Sequence, residues 1–220
     1  MTDLHPIVTG LWRWTAAHPA WVAGAKPESP SDWPRDIGCV LYDAADATVL
    51  IDPLLPEGDE GFLARLDRHV EERGRPVSIL TTIKWHRRSR DELAARYRAR
   101  TSRARQHLPE GVEAKPIRGA GETMFWLGEH RALVAGDRVM GATGGKLRLC
   151  PESWLGYLPH DSRPSLSQLA DRMRPLLDLP VEMVLVSHGE PVLRGGREAL
   201  ARALNRARGQ PAARRFLRLR

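Results

Sequence analysis

Four polar residues each close an apolar run. Asp52 follows Val49-Leu50-Ile51, His86 follows the run that ends Ile83-Lys84-Trp85, Asp137 follows Leu133-Val134-Ala135-Gly136, and His188 follows Met183-Val184-Leu185-Val186-Ser187. Short apolar runs of this kind read as buried strands, and in α/β architecture strand ends converge on a common crevice. Glu122, in Gly119-Ala120-Gly121-Glu122-Thr123, is a fifth candidate. His86, Glu122, Asp137 and His188 together form a two-imidazole, two-carboxylate set. Such a set suits one zinc, manganese or iron ion, with an open position that could activate water. With no metal at all, His86 or His188 paired with Asp137 could act as general base, so these three are the candidate catalytic residues.

The segment Leu80-Thr81-Thr82-Ile83-Lys84-Trp85-His86-Arg87-Arg88-Ser89 carries the frame of a metal-binding H-x-H-x-D-H motif. Lys84 stands at the first His, His86 keeps the second, Arg88 replaces the Asp and Ser89 the last His. The order of motifs along the chain resembles the metallo-β-lactamase fold superfamily, which includes glyoxalase II-like hydrolases. The resemblance runs from about Gly38 to Val192: Asp52 closes an early strand, the motif falls on Lys84 to Ser89, a G-H-T segment falls on Gly121-Glu122-Thr123, a G-D strand end on Gly136-Asp137, and a G-H-G segment on Ser187-His188-Gly189. It implies a four-layer αββα sandwich, an α/β fold, over one domain spanning residues 1–220, and a hydrolase.

The departures from the pattern bear on chemistry. A second metal would need positions 88, 89 and 188, and the permanent cation of Arg88 cannot coordinate one. Lys84 would likewise sit as an ammonium beside a first ion. Lys84 and Arg88 could instead supply counter-charge to Asp137 and Glu122 in place of metal, through an ion-pair network. On that reading Lys84, Arg88 and Trp85 form a ligand site for a small, anionic molecule, and the protein is a non-catalytic binding module.

The elements that must position these residues are legible as patterns. Ile7 to Trp14 alternates as one strand. Cys39 to Asp43 and Thr48 to Asp52 make a hairpin, and Pro53 and Pro56 stop its second strand. Gly61 to Arg73 is helical and Gly74 caps it. Val77 to Thr82 is a buried strand, and Ser89 to Arg105 reads as a helix with Leu93, Ala94 and Tyr97 inward. Lys115 to Ile117, Thr123 to Leu127, Ala132 to Ala135 and Val181 to Val186 are further strands. Ser165 to Leu177 is a helix with Ser165 as its cap, and Gly196 to Arg208 is the last helix. Gly141 to Gly145 lacks the Lys-Ser/Thr of a phosphate loop and reads as a flexible loop. The loops His18 to Arg35 and Val139 to His160 are expected to line the pocket. His160-Asp161 reads as surface, and most of the tryptophans as core or rim packing.

Composition narrows the classes. No apolar run is long enough to span a membrane. Met1-Thr2-Asp3-Leu4-His5-Pro6 does not read as a secretory signal, and Cys39 and Cys150 read as buried thiols, so a cytoplasmic location is expected. The charge of +7 and pI near 10.1 come mostly from arginine, clustered over Arg87 to Arg105 and in a basic C-terminal tail at 210–220. No aromatic interleaving of the kind that stacks bases accompanies those clusters, so nucleic acid ranks last among partners, behind a small-molecule substrate or ligand.

Overall fold

The computed structural model describes residues 2–102 and 107–209. Strands β1 (His5–Val8), β2 (Leu11–Ala17), β3 (Asp36–Asp43), β4 (Thr48–Ile51), β5 (Val77–Leu80) and β6 (Arg100–Ser102) form a six-stranded sheet in that order. β7 (Val112–Ile117), β8 (Glu122–Leu127), β9 (Ala132–Ala135) and β12 (Met183–Val186) form a second sheet, ordered β12-β9-β8-β7. β10 (Val139–Ala142) and β11 (Lys146–Leu149) make a separate ribbon. The helices are α1 (Glu60–Arg73), α2 (Arg90–Tyr97), α3 (Leu166–Met173) and α4 (Gly196–Gly209).

Side-chain alternation makes these elements a sandwich. On β3, Val40 and Tyr42 join a core that also takes Val49 and Ile51 of β4, Phe125 and Leu127 of β8, Val134 of β9 and Leu185 of β12. That core is the layer between the two sheets. The opposite face of the first sheet (Trp14, Ile37, Cys39, Leu41, Leu50, Ile79) packs on Phe62 and Leu66 of α1 and Leu93 of α2. The opposite face of the second sheet (Met124, Trp126, Leu133, Val184, Val186) packs on Leu169 and Met173 of α3 and on Leu200 and Leu204 of α4. Strands buried on both faces must be apolar at consecutive positions, which is why β4, β5, β9 and β12 read as continuous apolar runs. The layers are therefore α, β, β, α.

β3 and β4 form the expected hairpin, with Asp43 opposite Thr48, and Gly74 caps α1 at φ 58°. Four elements differ from the sequence reading. Ile7 to Trp14 is two strands, because Gly10 (φ 81°) turns the chain between them. The helix expected to run to Arg105 stops at Tyr97, where its apolar stripe ends. Arg98 adopts a left-handed conformation (φ 49°), and the chain re-enters the sheet as β6, parallel to β5. The end of that expected helix, and the basic tail at 210–220, lie outside the described residues. Gly144 and Gly145 form the turn of the β10–β11 ribbon, both with positive φ, and α3 gives way at Met173 to a 3-10 segment, Arg174–Asp178, that contains Pro175. No helix among the described residues is long and apolar enough to cross a membrane.

One end of the sandwich is stitched shut by backbone contacts between the sheets. Ile83 bridges Glu122, and Ile37 bridges His188. Gly38 N–H donates to Ser187 O at 2.7 Å, Thr123 N–H to Thr82 O at 2.8 Å, and Gly141 N–H to His188 O at 2.8 Å. A Cβ on Gly141 would overlap the Glu190 carbonyl oxygen, so only glycine allows β10 to pass so close to the segment that carries His188. Gly141→Ala is expected to cost about 1–3 kcal/mol, read as a lower urea midpoint at unchanged slope. An unchanged midpoint would contradict this packing.

Candidate functional site

Four chain segments deliver buried polar groups to the stitched end. Asp52 follows β4, Thr82 and His86 follow β5, Asp137 follows β9 and His188 follows β12; all five are buried. Asp52 has a left-handed backbone (φ 49°), uncommon for a side-chain-bearing residue and a mark of a constrained turn. Its Oδ1 accepts the Thr82 N–H at 2.8 Å, and its Oδ2 accepts the Thr82 hydroxyl and lies 2.8 Å from His86 Nδ1.

That contact orients the imidazole. His86 Nε2 then lies 2.8 Å from Asp137 Oδ1, and His188 Nε2 reaches the same oxygen at 3.1 Å. The Trp85 indole N–H donates to the other oxygen, Asp137 Oδ2, at 2.6 Å. His86, Asp137 and His188 each turn one ligand-capable atom inward, and those atoms lie within 4.8 Å of one another. His188 Nδ1 is buried with no hydrogen-bond partner among the described residues, while its ring stacks on Trp33 at 6.0 Å and meets Trp154 edge-on at 5.1 Å.

The electrostatics follow from burial and these pairings. Burial and Arg88 press the His86 pKa down, but Asp137 and Asp52 together outweigh them and hold it above the ordinary histidine value. For Asp137, burial opposes ionisation, yet His86 and His188 bring its pKa well below the usual carboxylate value. Burial wins at His188, whose pKa lies below the ordinary value despite its bond to Asp137. His18, at the rim, is pushed down to about 4 by burial and then by Arg88 and the two site histidines.

The structure brings together Asp137, His86 and His188 and leaves Glu122 out of that cluster. Glu122 Oε1 accepts the Gly136 N–H at 3.0 Å, and Oε2 accepts the N–H groups of Asp137 and Arg138 at 2.8 and 2.9 Å. It clamps the loop that presents Asp137. The counter-charge also differs from the sequence reading. Lys84 is exposed, with its ammonium 5.8 Å from the neighbouring Trp85 ring. Arg88 donates to the Asp52 carbonyl at 3.0 Å and to Ser187 Oγ at 2.8 Å. The guanidinium that faces Glu122 belongs to Arg138, fully buried and bonded to Ala120 O at 2.9 Å and Trp154 O at 3.3 Å. Arg138 follows Gly136-Asp137 directly, and its place beside a strand end was the one signal that could have marked it.

Beside the cluster lies a cavity of about 300 Å³, lined by His18, Pro30, Trp33, Trp85, His86, Arg88, Asp137, Trp154 and Tyr157. Both loops expected to line a pocket contribute to it. His160 and Asp161 are exposed and take no part.

Solved structures that superpose on this arrangement include metallo-β-lactamases. VMB-1, in crystals at pH 5.5, superposes with a TM-score of 0.57 and 14% identity over 94% of this chain and 96% of its own. An NDM/FIM-1-like metallo-β-lactamase from Erythrobacter litoralis, in a mono-zinc form, gives 0.56 and 16% over 94% and 96%. DIM-1 metallo-β-lactamase exposed to ceftazidime gives 0.59 and 11% over 94% and 97%. The chain has the metallo-β-lactamase fold. No protein-family model matches the sequence, and no curated protein matches it by sequence.

The raised His86 value has a sign that can be checked in chelator-treated protein. A histidine whose pKa is raised on folding contributes stability that is fully present below its unfolded value of about 6.5 and is lost as pH rises through the folded value. Unfolding free energy is therefore expected to decline on that alkaline limb, and the decline to disappear in His86→Asn. Equal slopes in the two proteins would show that the two carboxylates do not hold the proton.

Proposed function

We propose that the protein is a hydrolase acting on a small molecule through a single metal ion held by His86 Nε2, Asp137 Oδ1 and His188 Nε2. The observation that carries this reading is the hydrogen bond from His86 Nδ1 to Asp52. A carboxylate behind a metal-ligating imidazole is the usual outer partner that fixes its tautomer and aims the other nitrogen at the ion. Here that other nitrogen meets His188 Nε2 at one carboxylate oxygen. Two imidazoles and a carboxylate are a donor set for zinc, manganese or iron.

The donor set fits one ion. The N···O contacts at Asp137 Oδ1 are bridged by protons, and His86, His188 and Asp137 would hold an ion only with those protons lost, which makes its binding pH-dependent. When bound, the ion supplies a water of lowered pKa as nucleophile. The chain's own residues do the positioning. Asp52 and Thr82 hold the His86 ring, Trp85 holds Asp137 Oδ2 so that Oδ1 faces the imidazoles, and Glu122 fixes the backbone of the loop that carries Asp137. Arg88 stands where a second ion would need a carboxylate, and a guanidinium has no lone pair to offer. Supporting a single metal-dependent activity is also the fold itself.

A metal-free module that binds an anion on Lys84 and Arg88 draws less support, since Lys84 is exposed and both Arg88 Nη groups are bonded within the protein. We also place the protein in the reducing cytoplasm as one domain, on the strength of two unpaired buried cysteines.

Protein expressed with zinc and manganese and purified without chelator is expected to hold about one transition-metal ion per chain, measured by plasma mass spectrometry, and Asp137→Ala to hold none. Asp52→Asn is expected to weaken metal affinity by about 10–100-fold while leaving the ligands in place. Metal-free wild-type protein from replete cells, still metal-free after dialysis against zinc, sinks the proposal.

A further inference from the structure

The wall of the cavity is more specific than its floor. Trp33 comes from the loop after β2, Trp85 from the loop after β5, and Trp154 and Tyr157 from the 3-10 segment after β11. Trp85 and Tyr157 lie 5.5 Å apart, and Trp33 stacks on the His188 ring below. Two of the three indole donors are spent elsewhere, and the Trp33 N–H is buried inside the wall without a hydrogen-bond partner among the described residues. Trp85 N–H is on Asp137, and Trp154 N–H is on Ser29 O at 3.2 Å. What these rings offer a ligand is therefore flat apolar surface, which prefers stacked or edge-on aromatic partners.

The charges around the wall argue about the ligand's own charge. A substrate carboxylate would be desolvated on entry and would need a charge-assisted donor fork to compensate. Arg88 is the guanidinium in the cavity lining, and its two Nη groups are fixed on the Asp52 carbonyl and Ser187 Oγ. A substrate cation would seek the indole faces, yet Trp85 already carries Lys84 Nζ at 5.8 Å and Arg138 Cζ at 5.7 Å. A neutral, planar group meets neither penalty.

We infer that the cavity selects an uncharged, flat aromatic group next to the scissile carbonyl, as in a neutral aryl or arylacyl ester, thioester or amide. This rests on the hydrolase reading for the direction of approach, since the carbonyl must reach Asp137 at the floor while the ring lies among Trp33, Trp154 and Tyr157. At about 300 Å³ the cavity is at the small end of ligand pockets and holds a one- or two-ring group. The sequence reading kept a small anion on Lys84 and Arg88 as its alternative ligand; the fold puts Lys84 outside the cavity and ties one N–H of each Arg88 Nη group to the Asp52 carbonyl and Ser187 Oγ.

The test uses ligands of one ring system, one chain length and three charges: 1-naphthylacetamide, 1-naphthylacetate and 2-(1-naphthyl)ethylamine, titrated by calorimetry into chelator-treated protein. The amide is expected to bind about tenfold more tightly than either ion. Tyr157→Ala, at a side chain exposed enough not to threaten folding, and Trp33→Ala are each expected to weaken amide binding about tenfold, with Lys84→Ala unchanged. Binding of the acetate or the amine as tight as the amide overturns the inference, as does amide binding that is absent or indifferent to both aromatic substitutions. Because no ion is present in this measurement, failure to find metal would sink the catalytic reading and leave this result standing.

Discussion

The Asp52 carboxylate is the constraint on which the site depends. It sits at the end of β4 on a left-handed residue, takes both the N–H and the hydroxyl of Thr82, and receives His86 Nδ1. A buried carboxylate without such partners would cost several kcal/mol. Satisfying it draws the β4 and β5 ends together and leaves His86 one orientation. The remaining nitrogen must then face Asp137, which arrives from the other sheet. A local requirement for hydrogen bonds thus becomes a contact between the two halves of the sandwich.

Each buried carboxylate is satisfied differently, and the differences separate their roles. Glu122 spends its oxygens on three backbone N–H groups and has Arg138 for counter-charge. Asp52 spends its own on Thr82 and His86. Asp137 alone keeps an oxygen facing two imidazoles. A carboxylate tied to backbone is structural, and one shared between titratable rings can exchange protons for an ion. Arg138 is costly to bury, and its Nη2 has no hydrogen-bond partner among the described residues. Its place between the Glu122 clamp and the Trp85 ring links the loop that carries Asp137 to the cavity wall.

Much of the fold was legible in the chain. Strands buried on both faces must be largely apolar, so β4, β5, β9 and β12 announced themselves, and Gly74 marked the end of α1. The sequence also placed Asp52, His86, Asp137 and His188 at strand ends. It misjudged the stretch after Tyr97, because Arg98 to Ser102 has strand character only by pairing with β5, and it merged β1 with β2 because alternation continues across the turn at Gly10.

What the sequence determined by itself was which residues could do chemistry and which elements would carry them, since both are properties of short stretches of chain. Only the tertiary structure decided how those residues divide the work. Lys84 and Arg88 both fall on motif positions, but a side chain's exposure and partners depend on segments far away in sequence: Asp52 and Ser187 for Arg88, solvent for Lys84. The same holds for Glu122, turned by the N–H groups of residues 136–138 from ligand to clamp, and for the aromatic wall, whose rings come from three loops. Hydrogen-bond satisfaction and packing are resolved between distant segments, so no single stretch of the sequence contains the answer.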